Sequence, residues 1–479
     1  MSALTGGTPT DGADPEAVVT GPVVADSRQV VPGALFAALP GERVDGHDYA
    51  AATVTAGAVA ALTARPVGAP AVVVDDPLTA LGRLARGVVD RCAGGLTVIG
   101  VTGSSGKTTT KDLIAALLAR VGPTIAPEGS FNNELGLPLT LLRVDAGTRF
   151  AVAEMGSRGP GHIAYLCGIA APRIGVVLNV GAAHAGVFGG PEATAAAKGE
   201  LVEALPADGV AVLNVDDPRV RAMAARTRAR IVGVGASADA DVRATGVRLD
   251  EAARASFRLH TPVGEVDVRL GVHGAHQVGN ALAAAAVAVE AGLDLDGIAA
   301  GLAAAGPASR WRMEVHTRPD GIVVVNDAYN ANPDSVRAAL HALTAVGGPG
   351  RRRWAVLGQM LELGEDGPDQ HARIGALARD LGVARLIAVG EEAAPFVDGY
   401  AAASGPPPGG PPPGEASPVA DLPAALDLLR AELAAGDVVL VKASRAVGLD
   451  RLAAQLMLDA LGPQAGGSSS PNPSEEVTP

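Results

Sequence analysis

Cysteine is scarce. The 479-residue chain has two, Cys92 and Cys167. Two cannot build a disulfide framework or a cysteine-based zinc site, so both are expected to be small buried apolar residues. Aromatic residues make up only 3% of the chain, which leaves the core to Ala, Val and Leu. Positive charge is outnumbered, with 38 Lys and Arg against 51 Asp and Glu and a net charge of −13. A nucleic-acid-wrapping surface needs a basic stripe that releases counterions, so no nucleic-acid partner is expected. No run reaches the roughly 18 uncharged apolar residues that a membrane crossing needs, so no membrane insertion is expected. Met1 to Thr20 has neither the basic nor the apolar part of a secretory signal. The expected setting is a reducing cytoplasm.

What is present is a large apolar fraction, 48%, with 19% charged residues. Such a chain folds around substantial cores. Its length suggests about three domains. We expect a flexible lead at 1–16, a small unit at 17–95, a central unit at 96–307 and a C-terminal unit at 308–463. A Pro/Gly surface loop at 404–414 and a disordered tail at 464–479 follow from composition. Short apolar runs alternate with Ala/Leu-rich helical stretches. Leu96–Val101, Phe150–Ala153, Ile174–Leu178 and Val210–Leu213 form one series. Ile322–Val325, Trp354–Leu357, Leu386–Val389 and Val438–Val441 form another. Runs without alternation predict strands buried on both faces, hence two α/β units with mainly parallel sheets.

The strongest local signal is Thr102-Gly103-Ser104-Ser105-Gly106-Lys107-Thr108-Thr109, between a predicted strand and a helix over 107–120. Glycines let backbone N–H groups turn around an anion, and the helix N-terminus adds a favourable dipole. Lys107 supplies charge to the outer phosphates, and the Thr108 hydroxyl suits Mg²⁺. Val101 stands where the longer phosphate-loop pattern has Gly, so only the short G-x-x-G-K-T core is present.

Other candidates stand at strand ends. Glu154 follows Phe150–Ala153, where a metal-holding carboxylate belongs beside such a loop. For His184, after Val176–Val180, a structural role competes with a magnesium or phosphate role. Composition alone makes Lys198 an exposed helical lysine. His276 and Asn280 open an Ala-rich helix, as caps or as nucleotide contacts. Arg310 follows a Gly306–Pro307 break. Asn326 to Ser335 is a polar run after a strand, and Lys442, Ser444 and Arg445 follow another. Three such clusters on two sheets suggest a site between domains.

These residues resemble the Mur ligases over nearly the whole chain, from about Val24 to Leu461. The short phosphate loop is that family's form. Asp26-Ser27-Arg28, Gly41 and Asp45-Gly46-His47 resemble its UDP-sugar-binding N-terminal domain. Gly129 to Pro138 and the Tyr329-Asn330-Ala331-Asn332-Pro333 run resemble the branch that adds D-alanyl-D-alanine to UDP-N-acetylmuramoyl-tripeptide. Gln359 departs from the family's usual Asp, and Asn326 from a second.

The resemblance implies a three-domain α/β architecture: UDP-binding, P-loop ATPase and Rossmann-like ligase domains. It implies ATP, about two Mg²⁺ and a carbamoylated Lys198. Thr108, Glu154, His184 and Lys198 would serve the metal. Lys107, Glu154, His184, Lys198 and Arg310 would be catalytic. Gly103 to Thr109, His276, Asn280, Arg310, Asp327, Tyr329, Asn330 and Asn332 would meet the nucleotide, Tyr329 by stacking. Ser27, Arg28, Asp45, His47, Ser130, Asn132 and Asn133 would hold the UDP-substrate, and Lys442, Ser444 and Arg445 the dipeptide and closure. The implied reaction makes an acyl phosphate and ADP, then an amide, in a monomeric cytoplasmic enzyme of peptidoglycan precursor synthesis. The alternatives are a ligase adding a single amino acid and a nucleotide-binding scaffold without turnover.

Overall fold

The computed structural model describes residues 1–41, 44–181, 190–348, 350–403 and 414–459. His184, the body of the Pro/Gly loop and the tail at 464–479 lie outside the described residues.

Three sheets organise these residues. In the first, Val23–Val24, Leu35–Ala37, Ala60–Thr63 and Ala71–Val73 run parallel. Thr8–Pro9 closes its edge antiparallel, opposite Val72 and Val73. The lead at 1–16, expected to be flexible, therefore holds a strand. The missing side chain at Gly87 makes this possible, because a Cβ there would collide with Leu4 of the preceding helical turn.

The central sheet has nine strands. Thr97–Thr102 lies between Phe150–Glu154 and Ile174–Val177, parallel to both. Val101 pairs with Glu154 and Thr102 with Val177. The strand-end residues Thr102, Glu154 and Asn179 are thereby brought to one edge, the place where open parallel sheets bind ligands. Helix Lys107–Leu118 buries Leu113, Ile114, Leu117 and Leu118 against this sheet. Helix Gln277–Glu290 packs beside it through a run of fully buried alanines, whose small side chains permit a close approach.

One part departs from the mainly parallel expectation. Val242–Leu249 joins the sheet parallel to Arg230–Gly235, and Arg254–Thr261 and Gly264–His273 then extend it antiparallel. Their faces alternate: Phe257 and Leu259 are buried, and Arg258 between them is exposed. A search for unbroken apolar runs misses such half-exposed strands.

The third sheet orders Glu314–Thr317, Val323–Asn326, Val438–Lys442, Arg353–Gly358, Arg385–Val389 and Glu415–Val419, parallel except at its first strand. Trp354 lies fully buried within it, its indole N–H donating to Asp437 at 3.0 Å. Of the two cysteines, Cys167 is buried and Cys92 only partly so.

Candidate active site

The phosphate loop turns out of strand Thr97–Thr102 and is fixed from the neighbouring strand end. Asn179 accepts from the Ser105 N–H (3.0 Å) through its side chain and from the Ser104 N–H (3.1 Å) through its carbonyl. Two glycines are sterically required. Gly106 has φ +81°, and a Cβ there would meet Asn280 Oδ1 at 2.5 Å. A Cβ on Gly103 would press on Leu178 at 2.9 Å. Lys107 starts the helix and folds back to donate to the Gly103 carbonyl at 2.8 Å. Burial in the cleft pushes its ammonium below the ordinary lysine value, and the Glu154 carboxylate opposes that shift.

Glu154 is 1% exposed. Its Oε1 accepts from Asn132 Nδ2 at 2.8 Å, and its Oε2 is buried with no hydrogen-bond partner among the described residues. An orphaned carboxylate oxygen is costly unless something binds it. Lys198 is 3% exposed on helix Pro191–Glu203. Burial, helped by repulsion from Lys107, pushes its amine down to about 7. Among the described residues, no carboxylate lies within ion-pair distance of it. The expectation of an exposed lysine from composition is thus overturned.

A cavity of about 350 Å³ joins these groups to the C-terminal unit. Ser104 to Thr109, Ser130, Asn132, Asn133, Glu154, Lys198, His276 and Asn280 line one side. Asp327, Tyr329, Asn330, Asn332, Glu362 and Lys442 line the other. Several of these residues build the walls. Lys442, 1% exposed, donates to Asp327 Oδ2 (2.6 Å) and to the Asn330 carbonyl (2.8 Å). Asn332 caps helix Pro333–Ala345 in a reciprocal box with Ser335, and its Nδ2 lies 3.5 Å from the Ser104 carbonyl. Asn133 Oδ1 accepts from the Leu135 (3.2 Å) and Gly136 (2.8 Å) N–H groups in the turn before helix Gly136–Leu141.

Against this geometry stand the comparisons. Residues 22–88 match the model "Mur ligase family, catalytic domain", 101–288 the Mur ligase middle domain, and 311–445 the "Mur ligase, glutamate ligase domain". A UDP-N-acetylmuramoyl-tripeptide–D-alanyl-D-alanine ligase of Mycobacterium tuberculosis is 51% identical, covering 92% of this chain and 93% of its own. The Escherichia coli ligase of the same name is 36% identical over 77% and 81%. A crystal structure of MurF from Acinetobacter baumannii superposes with a TM-score of 0.84 at 32% identity, covering 95% and 97%. The chain belongs to the Mur ligase family.

Within this Mur ligase, several expected site residues stand elsewhere. Arg310 is exposed and does not line the cavity. Arg312, two residues on, does: its Nη2 donates to Thr108 Oγ1 at 3.1 Å. Both arginines follow the Gly–Pro break, and only the backbone path separates them. Trp311 and Met313 have φ +60° and +51°, which turns Arg312 inward. Tyr329 has Arg312 over one face, 4.1 Å from the ring centroid, and Trp311 stacked at 6.4 Å. Tyr329 is half-buried and lines the cavity. Ser444 Oγ accepts from the Leu361 N–H (2.9 Å) and faces the Ala331 carbonyl (3.3 Å). Arg445 pairs with Asp450 at 2.7 Å. Neither lines the cavity.

In the N-terminal unit, His47 is 5% exposed. It is locked between Asp45 (Nδ1, 2.5 Å) and the Ala64 N–H (Nε2, 2.8 Å), and Arg65 pairs with the same aspartate. Asp45 and His47 therefore brace a turn. Ser27 is half-buried and Arg28 exposed, the latter bound to Asp26 at 2.8 Å. Asn179, Arg312, Gln277 and Glu362 were missed as cavity residues.

Arg312→Ala is expected to lower kcat/KM for ATP by about 10²–10³, the cost of losing one donor to a developing anion. Arg310→Ala should stay within about twofold of wild type, as an exposed substitution does. Steady-state ADP formation by both variants decides between the two arginines.

Proposed function

We propose that this chain is an ATP-dependent ligase that joins D-alanyl-D-alanine to UDP-N-acetylmuramoyl-tripeptide, forming a peptide bond in peptidoglycan precursor synthesis. The observation that carries it is the 51% identity with ligases of that name over nearly the full length of both chains, together with an intact phosphate loop in a cleft between two sheets. Likeness to a ligase that adds diaminopimelate is weaker, with a TM-score of 0.54 and 22% identity. ATP is the energy source. A MurF ligase of Thermotoga maritima, crystallised with ADP, superposes at a TM-score of 0.79.

The tripeptide carboxylate attacks the γ-phosphate, giving an acyl phosphate and ADP. The dipeptide amine then attacks the acyl carbon and phosphate leaves. Each approach brings an anion or lone pair toward negative charge. Loop N–H groups, Lys107 and Arg312 are placed to offset that repulsion. The N-terminal unit would hold the UDP-sugar, Ser130 and Asn132 the peptide end, and the C-terminal unit the dipeptide.

Magnesium fits the residues present. Glu154 Oε2 lacks a partner among the described residues, and the Thr108 hydroxyl and Lys198 line the same cavity. These groups would hold the ion, which when bound would screen the phosphate charge. Among the described residues no trio of His, Cys, Asp and Glu could hold a metal alone. An oxygen-bearing modification of Lys198 would fill that gap. With its amine at about 7, roughly half of Lys198 is neutral at that pH and nucleophilic toward CO₂, which favours the carbamate. Among the described residues no helix is long and apolar enough to cross a membrane; we place the enzyme in the cytoplasm as a monomer.

The substrate reading is checked by phosphate release from ATP with UDP-N-acetylmuramoyl-tripeptide and D-Ala-D-Ala. Release with the dipeptide and none with single amino acids is expected; release with a single amino acid in its place overturns it. For Lys198, ¹³C-bicarbonate should give a protein-bound carbamate resonance that grows as pH rises through about 7, where the amine loses its proton. An unperturbed lysine would stay protonated until about 10.4. Lys198→Ala should lose the signal and most turnover, and added short carboxylic acids should restore part of the rate. No signal, or full turnover without the lysine, sinks the assignment.

A further inference from the structure

Four flat groups stack beside the phosphate loop. The Arg445 guanidinium lies 4.1 Å from the centroid of the Trp311 ring. Trp311 stacks on Tyr329 at 6.4 Å and 30°. Arg312 lies over the Tyr329 ring at 4.1 Å and reaches Thr108 Oγ1 at 3.1 Å. Each cation therefore lies over an electron-rich ring face.

The backbone beneath the stack is equally constrained. Bulky residues seldom adopt the left-handed region, and when they do their surroundings hold them there. Trp311 and Met313, on either side of Arg312, both adopt it. The Trp311 N–H donates to Glu314 Oε1 at 2.8 Å, and the Met313 N–H to Asp327 Oδ1 at 3.2 Å. The Trp311 carbonyl accepts from the Tyr329 N–H at 3.2 Å. Asp450 anchors the outer end of the stack through Arg445, at 2.7 Å.

We propose that Trp311 and Arg445 are positioning residues that hold Arg312 against the phosphate loop, so that the placement of the C-terminal sheet sets the grip on the triphosphate. The proposal rests on the ligase reading above. A free arginine samples many rotamers and loses that freedom on binding; a stacked one has lost most of it beforehand. Arg445 and Tyr329 follow two neighbouring strands of the C-terminal sheet, whereas Thr108 belongs to the central unit. A shift of the sheet therefore carries Arg312 toward or away from the loop. This assigns Arg445 to the nucleotide side of the cleft, not to the dipeptide.

The test is Arg445→Met, a half-exposed change that keeps the aliphatic bulk and removes the cation, alongside Trp311→Leu and Trp311→Phe. Arg445→Met and Trp311→Leu are expected to raise KM for ATP about tenfold, the scale of one partly desolvated cation–π contact, with KM for D-Ala-D-Ala within about twofold. Trp311→Phe should recover most of the loss. Unchanged KM for ATP, or a rise confined to the dipeptide, overturns the proposal. Calorimetry with MgADP reads the same contact without turnover. Arg445→Met added to Arg312→Ala should weaken ADP no further than Arg312→Ala alone, because coupled residues are not additive. A further additive loss refutes action through Arg312. Failure of the wild type to release phosphate with the two substrates counts against the ligase reading; the ADP cycle still decides the stack.

Discussion

The reaction brings an anionic carboxylate to a triphosphate, and the repulsion between them is what the cleft must overcome. A protein with a net charge of −13 has to do this locally. Lys107 and Arg312 supply positive charge beside amides that the Asn179 side chain and carbonyl hold in place. Lys442 lies in the same cavity, but Asp327 neutralises it and turns it into a strut. Burial, with Lys107 adding repulsion, brings the Lys198 amine down to about 7. An amine near neutrality has different chemistry open to it from that of an ammonium.

Both sheets present strand C-terminal ends to one cavity. Glu154 and Asn179 come from the central sheet, and Lys442 ends a strand of the C-terminal one. Individual hydrogen bonds cross between the two units: Arg312 to Thr108, Asn332 toward Ser104, the Ser309 N–H to Asp112 at 3.1 Å and the Gly347 N–H to the Glu251 carbonyl at 2.7 Å. Links of this kind can break and re-form as a site admits three substrates and then encloses them. Its strain is local, at Trp311 and Met313.

Much of this was legible in the residues. The unbroken apolar runs marked buried parallel strands, and the phosphate loop stood out because strand, glycine turn and helix coincide. Strand-end acids and amides followed from the same rule. The antiparallel strands at 242–273 were hidden because one face is wet and their apolar residues alternate. Residues 1–16 looked mobile because their composition is polar, yet a slot at Gly87 anchors Leu4. Arg310 and Arg312 differ only in where a left-handed backbone points them, which a pattern of residue types does not encode. Asp45, His47, Asn133 and Ser444 have ligand-binding chemistry but spend it on turns and caps.

The claim on which the rest depends is that the tripeptide carboxylate itself attacks the γ-phosphate. UDP-N-acetylmuramoyl-tripeptide labelled with ¹⁸O in its reacting carboxylate tests this directly. The acyl-phosphate route predicts one ¹⁸O in the inorganic phosphate released on ligation, read by mass spectrometry. Unlabelled phosphate, or label recovered in AMP, would contradict it.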